Sequence, residues 1–482
     1  MKLSRRAAGV VAASLSLVAT VGLSAAPSAN AVPGAGVAAA DRGFSTTDRA
    51  PGWASVEGGT KGGAGADAAS TYLVADRAQL LVAFANHGEP DAPKIIYVKG
   101  TIFGNEASDG RLLGEQDLAP GYDIDKYLSC YGEDGVWSDS RFDYCGDQRR
   151  WRTTGSSKLK QQIELNVPSN TTIVGLGADA GFKQANLIFH VVDNVVVRNL
   201  TVEAPVDYFT SWDPWDGLTG AWNARFDAMS AITATHIWVD HVTLTDGDHL
   251  DVDAGASPNG APINRHDGLF DMKDGTDFVT LSNSLLENHD KTMLLGSGDD
   301  NADTDEGHLK ISIIGNHFKG IQERAPRVRY GDVHVLNNYF EAKVNDPRSP
   351  VVSTGAGGAH YFLGLGYQSQ VLSERNAFDY TGPGADASVA VYVWNANRFE
   401  DVGSWFGGKP VDLGEIASEQ YDALVRDLEA SGEPLPDWAS TGFAAGVDWA
   451  PPYGYRPLST ASAVKQHAKH ETGAGVLDVR QG

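Results

Sequence analysis

Short runs of β-branched and apolar residues recur through the middle of the chain, each followed by a small polar residue and a second short run. The runs begin at residues 170, 194, 236, 277, 308 and 332, so the starts lie 24, 42, 41, 31 and 24 residues apart. Spacings near 24 are typical of one solenoid coil, and the longer ones of a coil that carries a loop insertion. The pattern predicts an all-β fold, a right-handed parallel β-helix built as a single-stranded solenoid.

Alignment of the runs places five polar residues in one column: Asn199, His241, Asn283, Asn316 and Asn338. Stacked side chains of this kind can hydrogen-bond from coil to coil and satisfy buried polar groups. The main alternative is a β-propeller, whose blades need four strands in about 40–45 residues. None of the insertions is rich enough in strand formers for that alternative.

Helical periodicity is confined to a few segments, which are Asp76 to Ala85, Glu419 to Ala430 and Ala463 to Lys469. No linker interrupts residues 50–450, which favours one repetitive domain over several globular ones. We therefore expect a flexible segment over 32–48, a β-helix domain over 49–459 and a C-terminal tail over 460–482. Gly-rich loops are expected to form the walls of a substrate groove, at Gly58 to Gly65, Gly255 to Gly260 and Gly355 to Gly358.

The first 31 residues have the pattern of a secretory signal peptide. Basic residues precede an apolar run, Ala7 to Leu23, and Ala29-Asn30-Ala31 is a small-x-small cleavage site. A membrane anchor is the alternative, but this run is short and Ala-rich, and no other stretch reaches the ~20 apolar residues of a membrane span. The pattern predicts a secreted protein that begins at Val32 and has no membrane partner.

Cysteine content and charge agree with that location. Cys130 and Cys145 are the two cysteines of the chain; outside the cell they are expected to form a disulfide, and two cysteines alone cannot build a zinc site. The chain carries 62 acidic and 38 basic side chains, a net charge of −24. Non-specific nucleic-acid binding needs a basic surface, so it is excluded.

Three acids have the spacing of neighbouring coils. Asp227 lies forty residues before Asp267, and Asp271 follows four residues later. If the coils stack, the three carboxylates converge on a hard-oxygen site suited to Ca²⁺. The alternative is a set of solvated loop aspartates, common in so acidic a chain.

A basic cluster lies downstream of these acids, in Arg324-Ala-Pro-Arg-Val-Arg-Tyr-Gly331. Guanidinium groups match carboxylates in charge and in the fork of their donors, so three within six residues indicate an anionic ligand. Lys291 precedes the cluster by about one coil. The alternatives are a structural ion-pair network for the arginines and a plain surface position for the lysine.

Five ordered motifs together resemble the secreted bacterial pectate lyases of polysaccharide lyase family 1. They are Trp222-Asn-Ala-Arg-Phe-Asp-Ala228, Ile237-Trp-Val-Asp-His241, His266-Asp-Gly-Leu-Phe-Asp271, His289-Asp-Lys-Thr-Met-Leu294 and the arginine cluster itself. The resemblance implies the same β-helix and a calcium-dependent β-elimination of polygalacturonate by a protein expected to be monomeric. Residues 103–165 and 341–482 carry no motif of the family, so the cysteine-bearing insertion is a departure from it.

The resemblance also implies roles for individual residues. Asp227, Asp267 and Asp271 match calcium ligands, Arg324 matches the base that takes the C5 proton, and Lys291 and Arg329 match residues that bind substrate carboxylates. Arg327 receives no role. Arginine is a weak candidate for a base because its pKa exceeds about 12, and we expect neighbouring cations to disfavour its charged form. The resemblance therefore predicts an enzyme that works best in alkaline buffer.

Three other functions remain open on the sequence alone. A polygalacturonan hydrolase would use paired acids, for which Asp299-Asp300 is a candidate. A lyase for methyl-esterified pectin would not need three aspartates. A non-catalytic, calcium-stabilised carbohydrate-binding solenoid would not need a base.

Overall fold

Three stacks of parallel strands form the framework of the protein. The computed structural model describes residues 43–215, 220–256, 260–348 and 359–480. The predicted signal peptide and Gly355 to Gly358 lie outside these residues. Within them, the first sheet has eight parallel strands, which are Glu164–Asn166, Asn186–His190, Met229–Ile232, Phe270–Lys273, Leu294–Leu295, Arg327–Val328, Leu363–Leu365 and Val391–Val393.

The second and third sheets merge through two long strands, Lys94–Phe103 and Thr171–Lys183, which run through both. The second sheet also contains Thr71–Val74, Asp193–Arg198, Thr235–Asp240, Asp277–Ser282, Ile311–Ile314, Asp332–Leu336, Gln370–Glu374, Arg398–Val402 and the short Ala444–Ala445. The third sheet contains Thr201–Glu203, Thr243–Thr245, Leu285–Glu287, His317–Lys319, Tyr339–Lys343, Ala377–Thr381 and Trp405–Phe406, with Lys409–Pro410 antiparallel to the last.

Each coil of the chain contributes one strand to each sheet in turn. In the second sheet, for example, Ile237 pairs with Val195 of the preceding coil and with Val279 of the next, in parallel on both sides. Such pairing between successive coils is that of a solenoid, whereas propeller blades are antiparallel meanders. The predicted parallel β-helix is therefore confirmed. The long loops leave the third sheet and return to the first, so they lie beside the first sheet's strands.

The predicted column of corner residues was wrong by one position in its second half. Asn199, His241 and Asn283 take a left-handed backbone conformation at the corner between the second and third sheets, with φ of 55°, 50° and 47°. In the coils of Asn316 and Asn338, the preceding residue takes that conformation instead. Asparagine and glycine adopt it at low cost, and it turns the chain without a longer loop.

The true polar ladder lies inside the helix and consists of Asn316, Asn338 and Asn376, all fully buried. The Asn316 main-chain N–H donates to Asn338 Oδ1 (2.9 Å), and the Asn338 N–H donates to Asn376 Oδ1 (2.8 Å). Each side-chain amide also donates to a strand carbonyl, as Asn338 Nδ2 does to Ile313 (2.8 Å). The ladder thus satisfies main-chain groups that would otherwise be buried without partners.

The interior of the coils is apolar and closely packed. Phe318, Phe340 and Phe378 occupy equivalent positions in three coils, with ring centroids 4.8 and 4.5 Å apart and the rings nearly parallel. All three side chains are fully buried. Such stacking adds to the stabilisation from apolar burial and favours one register between the coils.

Helices lie outside the coils. They are Arg77–Ala85, Glu115–Leu118, Ile124–Ser129, Cys145–Ile163, Ala302–Asp305, Leu413–Ser431, Asp437–Ser440 and Ala461–His470, with 3-10 turns at Gly52–Ser55, Asn86–Gly88, Asp251–Asp253 and Ala387–Ala390. The three predicted helices are present, and the second and third are longer than expected. In the described part of the chain, no helix combines the length and apolarity that a membrane span requires.

The cysteine-bearing insertion is more ordered than the polar loop that its sequence indicates. Cys130 and Cys145 form the predicted disulfide, and Cys145 begins the 19-residue helix to Ile163. Tyrosines and tryptophans of this region form a separate apolar cluster with the hairpin Ser211–Asp213 and Ala221–Asn223. Its residues include Tyr122, Tyr127, Tyr131, Trp137, Trp212 and Trp222. The helix Cys145–Ile163 has no pronounced apolar face, and the aromatic residues alternate with polar ones. The sequence pattern therefore did not predict this small subdomain.

One predicted groove wall lies elsewhere. In the loop from Gly58 to Gly65, Gly62 N donates to Asn194 Oδ1 (2.7 Å) and Gly63 N to Thr172 Oγ1 (2.9 Å). Asn194 and Thr172 belong to the second sheet, so this loop covers that sheet rather than the first. Its glycines serve close backbone packing: a Cβ on Gly63 would lie 1.9 Å from the carbonyl oxygen of Lys94.

Replacement of Asn338 tests the buried ladder. Asn338→Ala leaves the Asn316 N–H and the Ile313 carbonyl without partners, and we expect a loss of about 3 kcal/mol in the free energy of unfolding. Asn397→Ala is the control, because its bond to Thr441 Oγ1 lies at the surface, and it should cost about 0.5 kcal/mol. Denaturant unfolding measures both; equal losses would show that the ladder has no special role.

Candidate active site

The predicted acidic residues lie on two neighbouring coils of the first sheet. Asp271 is within the strand Phe270–Lys273, and Asp227 lies just before the strand Met229–Ile232, which pairs with it. A Cβ atom on Gly268 would lie 2.6 Å from Asp271 Oδ1 and 3.0 Å from Asp227 Oδ1. Both carboxylates therefore lie close to the backbone of Gly268. A side chain at that position would collide with them, so only glycine fits there. Asp267 precedes that glycine directly.

These carboxylates carry negative charge that the protein does not balance. Burial, followed by the charges of Asp271 and Asp267, raises the pKa of Asp227 well above its ordinary value. Burial and Asp267 also raise the pKa of Asp271 to about 6, against the attraction of Lys273. The Lys273 Nζ lies 3.9 Å from Asp271 Oδ2. One lysine at this distance does not offset three clustered acids.

The donor chemistry of this cluster fits a hard divalent cation. All donors are carboxylate oxygens, which Ca²⁺ prefers, and a cation would remove the repulsion that raises both pKa values. Several of these oxygens already accept hydrogen bonds: Gly268 N donates to Asp227 Oδ1 (2.9 Å) and Leu294 N to Asp271 Oδ1 (2.9 Å). Over the described ranges, no three His, Cys, Asp or Glu side chains stand in ligating positions around one point. The cluster thus has the chemistry of a calcium site without a preformed cage.

Lys291 joins the acidic cluster to the basic one. Its main chain forms parallel bridges to Gly268 of the preceding coil and to Glu323 of the next. Its Nζ donates to Asn223 Oδ1 (3.3 Å), at the end of the aromatic hairpin. The three aspartates, Lys291 and Arg324 therefore lie on four successive coils, about 4.8 Å apart per coil.

Arg324 is held by an acid that sequence reasoning missed. Its Nε donates to Glu323 Oε1 (3.0 Å), and His360 Nδ1 lies 3.1 Å from the other oxygen of that carboxylate. Burial is the largest single influence and acts to lower the pKa of Arg324, but Glu323, Tyr361 and the nearby aspartates together raise it above its ordinary value. Among the protein's own groups, the adjacent anion thus favours the charged guanidinium, while the expected effect of calcium and other cations on Arg324 stays a prediction. Nothing in the residue spacing identified Glu323.

The other two arginines lie on the outer face of the first sheet. Arg329 Nε donates to Asp299 Oδ1 (2.7 Å), and Arg329 Nη1 donates to the Gly296 carbonyl (3.0 Å). Arg327 lies over the ring of Trp394, with 4.4 Å between the guanidinium carbon and the ring centroid. Asp299, a candidate acid of the hydrolase alternative, is thus neutralised by Arg329, which weakens that alternative.

Similarity to known proteins agrees with this geometry. Residues 153–477 match the family model for pectate lyase. The chain belongs to the pectate lyase family. It is 32% identical to the pectate lyase of Bacillus subtilis (strain 168) over 447 residues, which is 92% of this chain and 96% of that protein. Pectate lyase A of Dickeya chrysanthemi is 34% identical over 78% of this chain and 81% of its own length.

Solved structures give the same result for the fold. A pectate lyase bound to a hexasaccharide superposes with a TM-score of 0.76 at 31% identity, over 91% of this chain and 100% of that one. A pectate lyase from Acidovorax avenae subsp. citrulli superposes with a TM-score of 0.77 at 28% identity. The family match includes every residue from Asp227 to Arg329 that the sequence singled out, and it identifies the protein as a polysaccharide lyase.

Replacement of Asp227 tests the unbalanced charge. A raised pKa means that the fold favours the protonated acid, so calcium-free wild-type protein should lose stability as the pH rises above about 4, the ordinary pKa of a carboxyl group. Asp227→Asn removes one charge, and we expect it to be more stable than wild type at pH 7 without calcium. Denaturant unfolding across this pH range measures the difference.

The same variant tests the metal. Calcium should stabilise wild-type protein and leave Asp227→Asn unchanged, because a ligand stabilises only the state that binds it. Asp303→Asn, at an exposed position of the helix Ala302–Asp305, is the control and should respond like wild type. Equal stabilisation of Asp227→Asn by calcium would contradict the assignment of this cluster to a metal.

Proposed function

We propose that the protein cleaves polygalacturonate by calcium-dependent β-elimination on the outer face of the first sheet, giving oligosaccharides with a 4,5-unsaturated galacturonate at the new non-reducing end. One observation carries the proposal: the parallel bridges from Gly268 to Lys291 and from Lys291 to Glu323. They align the aspartates, a lysine and Arg324 along one line of the sheet. A polymer with one carboxylate per sugar can lie along that line and meet cations on successive coils.

The basic and the acidic side chains have different roles in the proposed reaction. Lys291 and Arg329 bind uronate carboxylates by charge-assisted hydrogen bonds and hold the sugar in place. Asp227, Asp267 and Asp271 would hold a Ca²⁺ ion, which would supply Lewis-acid stabilisation of the uronate and make its C5 proton more acidic. Asn223 fixes the Lys291 ammonium through its side-chain oxygen.

Arg324, in its neutral form, takes the C5 proton. The C5–H electron pair then forms the C4=C5 double bond, and the C4–O4 bond breaks with its electrons on O4. The leaving oxygen takes a proton from solvent or from the guanidinium, which completes the balance. Glu323 orients Arg324 through Nε, but it also holds the guanidinium in its charged form. Deprotonation of Arg324 is therefore the costly part of the cycle.

Ultraviolet absorbance with polygalacturonate tests the reaction class, since elimination creates a conjugated double bond and hydrolysis does not. We expect a rise in absorbance that calcium supports and a chelator abolishes. In Arg324→Lys, kcat should fall by about 10³-fold, because general-base contributions are of this size. Arg398→Lys, a surface arginine paired with Asp448, should keep wild-type activity. A flat trace with new reducing ends would instead indicate a hydrolase.

The charge state of Arg324 sets the pH dependence. Because its pKa is raised, the neutral form is scarce at pH 7 and increases about tenfold per pH unit. We expect log kcat/KM to rise with a slope of about 1 through the alkaline range, up to the pH at which the fold fails. A maximum in the acid range would exclude Arg324 as the base.

The proposed setting is extracellular and the proposed assembly is a monomer. Support for secretion comes from the signal-like residues 1–31 and from the disulfide between Cys130 and Cys145, which persists in oxidising compartments. Intact mass of the secreted protein tests this, since cleavage after Ala31 leaves a chain that begins at Val32. A protein that retains residues 1–31 would contradict it.

A further inference from the structure

Arg327 differs from its two neighbours in the arginine cluster. Arg324 forms an ion pair with Glu323, and Arg329 forms one with Asp299. Arg327 forms no ion pair with any acid in the parts of the chain that the structure describes. Its Nε is shielded from solvent and has no hydrogen-bond acceptor there. The protein therefore leaves this guanidinium incompletely hydrogen-bonded, which is unfavourable for a charged group.

Strand alternation directs Arg327 to the face that carries the candidate active site. In the strand Arg327–Val328, the Val328 side chain is buried in the core. Successive side chains of a strand point to opposite faces, so Arg327 and Arg329 both point outward. The register of the sheet places Arg327 between Leu294 of the preceding coil and Gly364 of the next.

The missing side chain at Gly364 lets Arg327 lie across the following coil. A Cβ on Gly364 would lie 3.3 Å from both Cβ and Cγ of Arg327 and 2.7 Å from the ring of Tyr361. With glycine there, the guanidinium extends to the face of Trp394. The Trp394 ring is itself packed against Tyr392 (centroids 4.9 Å apart) and Tyr361 (6.1 Å).

This support fixes the guanidinium plane before any ligand arrives. Stacking on an aromatic face leaves the Nη1 and Nη2 end of the guanidinium to bind a carboxylate in the plane of the group. Two acids on this face have other partners, since Glu323 is bonded to Arg324 and His360, and Asp299 to Arg329 and Asn395 (2.6 Å). Less conformational freedom is then lost when an anion binds.

We propose that Arg327, supported by Trp394, binds the carboxylate of a galacturonate unit in a subsite next to Arg324 on the side of the following coils. The inference rests on the proposed function, because the ligand is a unit of the same polymer. It makes Arg327 a specificity-determining residue: a methyl ester at this unit removes the charge that the guanidinium recognises. The Tyr392 and Trp394 rings give the sugar an apolar surface beside that charge.

Arg327→Gln tests the subsite. We expect KM for polygalacturonate to rise about tenfold with kcat within twofold of wild type, since the lost contact holds the substrate without touching the reacting atoms. Partial methyl-esterification should raise KM less in this variant than in wild type. Arg327→Lys keeps the charge but not the planar fork, and should lie between the two.

Arg375→Gln is the matched control, because Arg375 also lies over a tryptophan, Trp405 (5.6 Å), but follows the second-sheet strand Gln370–Glu374. It should keep wild-type KM. Calorimetric titration with hexagalacturonate, compared between wild type and Arg327→Gln, measures binding independently of turnover.

The two hypotheses fail in different ways. If wild-type protein gives no unsaturated product, the proposed function is wrong, and the calorimetric comparison still decides whether Arg327 binds uronate. If wild type is active and Arg327→Gln keeps both its KM and its affinity for hexagalacturonate, the subsite does not exist. An equal rise in KM for Arg375→Gln would also overturn it, because the effect would then be a general loss of packing.

Discussion

Register between neighbouring coils is the constraint on which the rest of the structure depends. The acids, Lys291 and Arg324 are separated by 20 to almost 100 residues in the sequence, and only the parallel pairing of the first sheet places them on adjacent coils. A slip of one residue would turn each of these side chains from the outer face to the core. The buried ladder at Asn316, Asn338 and Asn376 and the stacked phenylalanines oppose such a slip, because both need equivalent positions to coincide.

Electrostatics on the outer face follow from this register. Like charges accumulate on two coils at Asp227, Asp267 and Asp271, and opposite charges on the next two. The acids are left with raised pKa values at Asp227 and Asp271, while Arg324 and Arg329 are balanced by Glu323 and Asp299. The charge that the protein leaves unbalanced is therefore the negative charge of the aspartates, which the proposed calcium ion would neutralise.

The sequence predicted the structure best where a local pattern of residue types determines it. The β-branched runs and their spacing predicted the coils, and the motifs around Asp227, Asp271 and Arg324 predicted residues that the fold brings together. It failed where a partner is set by three-dimensional packing. Glu323 beside Arg324, Asp299 beside Arg329 and Trp394 beneath Arg327 follow no spacing rule, because each pair depends on how one coil lies on another. The predicted column of corner residues was wrong by one position because an Asn in the left-handed corner conformation and an Asn in the buried ladder cannot be told apart in the sequence.

A crystal structure of the Arg324→Lys protein with calcium and hexagalacturonate tests the central claim most directly, since slow turnover would preserve the bound substrate. The account predicts calcium within about 2.3–2.6 Å of oxygens from Asp227, Asp267 and Asp271 and of a uronate carboxylate. It also predicts that the saccharide runs along the outer face of the first sheet, past Lys291. A saccharide bound away from this face, or a calcium ion held by other residues, would contradict the account.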